Sequence, residues 1–367
     1  MILVLFIILI IYVISISLLI GGFFNVKKYR NQGLKPKTSF TVIVPFRNEE
    51  ENLPHLLKSF SNLNYPTDLF EVILVDDNSK EKFKISSFKF QVSVIDNIRV
   101  SNSPKKDAIL TAIQKVKTDW VITTDADCIV QENWLLTFDN YIQENNVSML
   151  AGAVSYQCEN SFLHHFQQLD LTSLQGATIG SFGLKKAFMC NGANFAYKKF
   201  LFEKLNGFDG NNKIASGDDV FLLQKAVEQF SDKVHYLKAK DAIVSTKPTE
   251  NWKSLFHQRV RWASKTSSYK SIFGKCLGVI VFFGNLSFVL GFLFLLFGTL
   301  SYPLFVMFAF FKFITDFVLL YITNRFLTKS RIKSLILSSL LYPFFSSAVA
   351  LYSLFGSYEW KGRKFRS

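Results

Sequence analysis

Cysteine is scarce and poorly spaced for chemistry. The four in this 367-residue chain, Cys128, Cys158, Cys190 and Cys276, show no C-x-x-C spacing. That excludes a readable disulfide framework or zinc site and fits reduced thiols in a cytosol-facing body. Histidine is scarce too, five in all, and neither His164 nor His165 has a metal partner at ligand spacing. Structural roles are expected for all five. Charged residues reach only 19% against 49% hydrophobic ones, with mean hydropathy +0.20. This composition excludes a disordered chain and argues against a wholly soluble enzyme. Internal repeats and low-complexity tracts are absent.

The charge that is present is one-sided. Lys and Arg number 42 against 28 Asp and Glu, a net +14. Such an excess points to nucleic acid, a membrane surface or a phosphorylated substrate. The basic residues cluster beside apolar runs, where membrane topology explains them, so nucleic acid ranks last.

Long uncharged runs stand at both ends. Met1 to Phe24 has no charge and exceeds the roughly 20 apolar residues a spanning helix needs. It lacks the positive n-region and A-x-A-like site of a cleaved signal peptide, so an uncleaved anchor (1–24) is expected. A basic linker follows (25–38), with Lys27, Lys28, Arg30, Lys35 and Lys37. By the positive-inside rule it places the next domain (39–275) in the cytoplasm.

Cys276 to Phe311 is again uncharged. Gly298 and Pro303 divide this region into helices over about 276–297 and 303–322. Lys312 and Asp316, four apart, are placed to pair on one helix face. Arg325, Lys329, Arg331 and Lys333 form a basic loop. Ser334 to Phe355, interrupted by Pro343, completes about three helices over 276–356. If that last segment spans, the basic tail (357–367) lies outside, against the charge rule; a re-entrant hairpin keeps it inside. Spanning is the preferred reading.

Between the ends, short apolar runs alternate with amphipathic stretches, as in an α/β domain. Strands are predicted over 40–45, 71–76 and 120–124, with a helix over 49–60. Polar clusters follow the strands: Arg47-Asn-Glu49, Asp76-Asp-Asn78 and Asp125-Ala-Asp127. Ligands of such sheets bind at the carboxyl ends of strands. Asp125 and Asp127 suit a hard divalent cation shared with a diphosphate; the same spacing also serves a solvated Asx turn. Asp77 has the chemistry to accept a nucleobase N–H, and a turn is the competing role. Arg47 and Glu49 suit base and ribose contacts or a helix cap. Lys105 and Lys106 suit phosphate, or are a solvated pair. Gly217-Asp-Asp219 opens an apolar helical run, where a carboxylate serves as a general base or as a cap. Gln258-Arg-Val-Arg-Trp262 precedes the membrane re-entry. There Arg261 suits a departing diphosphate and Trp262 an acceptor floor, or both anchor the interface. Residues 161–186 carry apolar side chains at roughly helical spacing, as an interfacial helix or a core helix of the domain.

In order, Val44-Pro-Phe-Arg-Asn-Glu49, Val75-Asp-Asp-Asn-Ser79, Asp125-Ala-Asp127, Gly217-Asp-Asp219 and Gln258-x-x-Arg-Trp262 resemble membrane-bound glycosyltransferase family 2. The resemblance is to its Q-x-x-R-W branch, shared by ceramide glucosyltransferases and polysaccharide synthases. It covers about Ser39 to Lys275. It implies an α/β GT-A nucleotide-sugar-binding sandwich flanked by transmembrane helices, and metal-dependent inverting transfer with Mg²⁺ or Mn²⁺. The donor would be a nucleotide sugar, with uridine the family-level base. The acceptor would be a lipid or lipid-linked glycan at the cytoplasmic face of a bacterial cell membrane.

By the same resemblance, Asp77 reads the base, and Pro45, Arg47 and Glu49 contact the nucleoside. Lys105 lies near the nucleotide, although Pro104 stands where the family has glycine. Asp125 touches the nucleotide sugar and joins Asp127 at the metal. Asp219 is the base, with Asp218 the alternative because Gly217-Asp218 replaces the family's Thr-Glu. Gln258, Arg261 and Trp262 serve the diphosphate and acceptor, and Asn191 and Gly192 belong to the acceptor-side loop 190–194. Two other readings stand beside this one. A processive polysaccharide synthase would have little channel material in four spans. A catalytically silent membrane scaffold would not need the intact acidic set.

Overall fold

The structure, a computed structural model, describes residues 2–366 except Ser86, Lys213, Ala215, Lys329, Arg331, Lys361 and Gly362. Lys329 and Arg331 of the basic loop, and Lys361 of the tail, therefore lie outside the described residues. In chain order the helices are α1 (Ile2–Asn25), α2 (Leu53–Ser61), α3 (Pro104–Ile113), α4 (Trp134–Glu144), α5 (Phe162–Gly183), α6 (Lys199–Lys204), α7 (Asp218–Phe230), α8 (Trp252–Ser264), α9 (Ile272–Leu296), α10 (Tyr302–Leu327) and α11 (Leu335–Ser353). The strands are β1 (Phe40–Phe46), β2 (Phe70–Asp76), β3 (Gln91–Asp96), β4 (Trp120–Thr123), β5 (Met149–Gly152), β6 (Val154–Tyr156), β7 (Phe195–Lys198), β8 (Val234–Leu237) and β9 (Val244–Thr246), with a terminal hairpin of β10 (Ser357–Trp360) and β11 (Arg363–Arg366). Contacts divide the chain into two compact units. One joins residues 27–157 and 189–247; the other joins 1–26, 158–188 and 248–367.

The first unit is built on a seven-stranded sheet of order β3-β2-β1-β4-β7-β5-β8. All neighbours run parallel except β7, which is antiparallel to both β4 and β5. The short strands β6 and β9 pair separately. The predicted α/β class is met, and the three predicted strands are β1, β2 and β4. Their continuous apolar runs have a physical cause: a strand covered on both faces has no solvent side to alternate toward. In β1, Phe40, Val42, Ile43 and Val44 are fully buried. Phe60 of α2 stacks on Trp134 of α4 at 6.1 Å, and Phe70 stacks on Phe90 at 5.1 Å. Burying each such side chain contributes about 1.5–3 kcal/mol. Helix α2 begins later than predicted because Glu49 to Asn52 forms a turn, with the Asn52 and Leu53 amides both donating to the Glu49 carbonyl at 3.0 Å.

The second unit is helical. Its α1, α9, α10 and α11 are each long and apolar enough to cross a membrane. Pro343 lies inside α11 without ending it. Helix α5 belongs to this unit and packs against α1, α10 and α11. Its approach to α1 is backbone to backbone. A Cβ on Gly180 would lie 2.4 Å from the Leu19 carbonyl oxygen, and one on Gly183 would lie 1.8 Å from that of Gly22. The Lys312–Asp316 pair forms at 2.8 Å, and the Tyr12 hydroxyl of α1 donates to Asp316 at 2.6 Å.

Candidate active site

The parallel register brings the ends of β1, β2 and β4 to one edge, with Phe46 opposite Asp76 and Ile43 opposite Thr123. Two loops there are laced together. Arg47 donates to the Asp77 carbonyl at 3.1 Å, and the Asn48 amide donates to Ser79 Oγ at 2.9 Å. The Lys80 amide returns a bond to Asn48 Oδ1 at 2.9 Å. Asn48 and Asn78 take left-handed φ of 52° and 61°, which asparagine tolerates better than most residues. Pro45 stays within β1 opposite Val75. Glu49 accepts from Asn52 Nδ2 at 2.6 Å, beneath the start of α2.

Asp77, only 6% exposed, accepts from Asn97 Nδ2 at 2.7 Å and from Arg99 at 3.4 Å. Asn97 also donates to the Pro104 carbonyl at 3.1 Å, next to Lys105. Arg99 is held in turn by Asp107, a fully buried carboxylate that also accepts from the Val100 and Ser101 amides and the Ser101 hydroxyl. No sequence motif marks Asn97, Arg99 or Asp107 as site residues. Asp107 is disguised as an ordinary first-turn acid of α3.

Lys105 is where the segments meet. Its ammonium lies 2.6 Å from Asp125 Oδ1 and 3.6 Å from Asp218 Oδ2. Burial works against its charge, but Asp125 and Asp218 outweigh that and raise its pKa. Gly192 packs against the same groups. A Cβ there would lie 3.1 Å from Asp218 Oδ2 and 3.3 Å from Lys105 Nζ. The Gly192 amide donates to Asp219 Oδ2 at 2.7 Å, and the Val220 amide donates to Asp219 Oδ1 at 2.7 Å. Both acids sit in the first turn of α7, where the helix dipole favours negative charge. Thr123, at the end of β4, ties this turn down by donating to the Gly192 carbonyl at 2.7 Å.

Other sequence-predicted groups have contacts of their own. Lys106 turns away from Lys105 and donates to the Asn211 and Ile214 carbonyls at 2.7 and 2.9 Å. Asn191 accepts from the Ala193 amide at 3.0 Å and shapes the turn. Buried Asn194 is structural, bridging the Ala153 and Ala242 carbonyls and accepting from Trp134. Gln258, Arg261 and Trp262 lie on α8, in the helical unit.

Among the described residues, no group of three or more His, Cys, Asp or Glu is arranged to hold a metal ion. Asp125 and Asp127 nevertheless fit the implied Mg²⁺ or Mn²⁺ as a hard-oxygen pair. Such ions commonly take one or two carboxylates and complete their shell with water and substrate phosphate. The Asp125 side chain is 41% exposed, open enough for that sharing.

Residues 41–206 match the model of Glycosyl transferase family 2. The chain is 25% identical to the probable glycosyltransferase YdaM of Bacillus subtilis over 248 residues, 65% of this chain and 57% of that one. It thus spans little more than half of that relative. It is 32% identical over 99 residues to the undecaprenyl-phosphate 4-deoxy-4-formamido-L-arabinose transferase of Serratia proteamaculans, 26% of this chain and 30% of that one. Among solved structures, the mannosyltransferase PcManGT from Pyrobaculum calidifontis, in complex with GDP-Man and Mn²⁺, covers 92% of this chain and 99% of its own with a TM-score of 0.53 at 14% identity. That likeness is one of fold, and the fold is GT-A-like. Family model, relatives and architecture coincide, and residues 41–206 form a glycosyltransferase family 2 domain.

Proposed function

We propose that the protein transfers a sugar from a nucleotide-sugar donor to a lipid or lipid-linked acceptor, with inversion at the anomeric carbon, at the cytoplasmic membrane face. The observation that carries this reading is the meeting of Lys105, Asp125, Asp218, Asp219 and Gly192 beside the carboxyl ends of parallel strands in a family 2 domain. The Mn²⁺ and GDP-Man of the mannosyltransferase structure support a metal-assisted nucleotide donor. The Serratia relative's name and the four apolar helices support a lipid-phosphate acceptor. The basic linker supports the cytoplasmic side.

In this reading Asp77 accepts an N–H from the base, with Pro45, Arg47 and Glu49 around the nucleoside. Asp125 and Asp127 hold the cation. When bound, it supplies positive charge to the diphosphate. Lys105 adds a fixed ammonium, and Asp218 holds that ammonium in place. Asp219, anchored by two backbone amides, takes the proton from the acceptor hydroxyl. The acceptor oxygen then bonds to the anomeric carbon as the bond to the diphosphate oxygen breaks, and the electron pair leaves with the diphosphate. On the motif resemblance, Arg261 offsets the departing charge, while Gln258, Trp262, Asn191 and Gly192 serve the acceptor.

The test is a donor screen with purified protein in lipid vesicles and Mg²⁺ or Mn²⁺, following released nucleoside diphosphate and glycosylated lipid. Asp219→Asn should lower kcat by about 10²–10⁴-fold while donor affinity holds. Normal turnover by that variant would remove Asp219 as base. Failure of the wild-type chain to bind any donor would overturn the whole reading.

A further inference from the structure

Helix α8 carries the three side chains that the sequence motif singles out, Gln258, Arg261 and Trp262, all partly exposed. The charged residue buried among them is Arg259, at 5% exposure. Its Nε donates to Asp170 Oδ2 of α5, itself 4% exposed, and its Nη1 donates to Gln258 Oε1. Its guanidinium carbon stands 4.2 Å from the centre of the Trp262 ring, within cation–π reach. One guanidinium therefore grips two of the three motif side chains, and one carboxylate from another helix grips the guanidinium. Only arginine fills this place. Its planar fork bonds in two directions and stacks on an indole at once, whereas a lysine ammonium is a point charge on a flexible stem.

The consequences for the motif are definite. With Oε1 turned to Arg259, the N–H₂ donors of the Gln258 amide face away from the guanidinium. The Trp262 indole is fixed in plane by the cation over one face. A fixed, flat aromatic surface beside an oriented amide suits the C–H face and hydroxyls of a sugar. We propose that Asp170 and Arg259 are a positioning pair that orients Gln258 and Trp262 for the acceptor side of the transfer. The inference rests on the proposed role of Gln258-x-x-Arg-Trp262 in that reaction. Buried ion pairs elsewhere often serve stability alone, and replacing both partners with apolar residues then costs little. That contrast supplies the test.

The full chain would be prepared in detergent with 5-fluorotryptophan, and the Trp262 ¹⁹F resonance assigned by its loss in Trp262→Phe. Two forms are compared with wild type: Arg259→Lys, which keeps a cation for Asp170, and the double variant Asp170→Leu with Arg259→Leu, which removes the buried charges. Both should keep the wild-type melting midpoint to within a few degrees, and both should shift the Trp262 resonance. An unmoved resonance in folded Arg259→Lys overturns the proposal. In vesicles holding undecaprenyl phosphate as acceptor probe, kcat/KM for the acceptor should fall about tenfold or more, a loss at the scale of one oriented contact, with donor KM within twofold. Wild-type acceptor kinetics in the double variant would make the pair structural only and also overturn the proposal. If the wild-type chain turns over no donor, the transferase reading fails, and the ¹⁹F comparison still decides the orientation.

Discussion

At Lys105, burial and charge pull in opposite directions, and charge prevails. Its side chain is 18% exposed, between an acid from the β4 loop and an acid from α7. Lys105→Met would leave two carboxylates facing each other without their cation, so donor affinity should fall at least about tenfold, as expected when a charged hydrogen bond worth about 1.5–3 kcal/mol is lost. Calorimetric titration with the donor found in the screen measures it. Lys238 shows the opposite balance. Burial, then Lys28, lowers its pKa to about 8, against an ordinary value near 10.4. A lowered lysine contributes stability present above its unfolded pKa and lost as pH falls through the folded one. Lys238→Met should therefore outlast wild type in denaturant below pH 8, with the advantage shrinking as pH climbs toward 10.5. An advantage that grows with pH would contradict that environment. Asp125, Asp218 and Asp219 were legible because they border apolar runs at motif spacing, Asp125 after one and the other two before one. Arg99 and Asp107 were not, since their partners are set by loop geometry. Arg259 did leave a trace: it stands four residues after buried Leu255, on the stripe where an apolar side chain belongs.

At the scale of elements, the strands with long apolar runs were readable and the short ones were not. β5 and β7 have four residues each, and their pairing is decided by partners far along the chain. Nothing in Phe195–Lys198 announces an antiparallel strand between two others. The apolar helices were readable because length and absence of charge suffice. The exception within them, Lys312 with Asp316, makes a sharp prediction. Lys312 is 1% exposed, so Asp316→Asn strands a buried ammonium. Removing one partner of a buried pair costs about 3–5 kcal/mol. Lys312→Met combined with Asp316→Leu should recover most of the loss. Unfolding in mixed micelles, run as a double-mutant cycle, decides between this coupling and simple additivity.

For the whole molecule, the two units interleave along the chain. Residues 158–188 belong with the helices, yet they lie between β6 and β7 of the sheet unit. A chain ending at residue 247 keeps every sheet strand from β1 to β9 but deprives α5 of α8, α10 and α11. It should therefore aggregate on extraction in detergent where the full chain stays monodisperse. Size-exclusion profiles of the two check this directly. A monodisperse short form would mean that α5 does not need those partners.

The same interleaving sets a clock on biosynthesis. Asp170 emerges 89 residues before Arg259. At about 5–20 residues per second, the nascent acid waits roughly 4–18 s for its arginine. During that wait, the glycine-lined contact with α1, made earlier in the chain, is available to hold α5. The order of synthesis thus hands the glycines the first job, ahead of the ion pair and of the later contacts with α10 and α11.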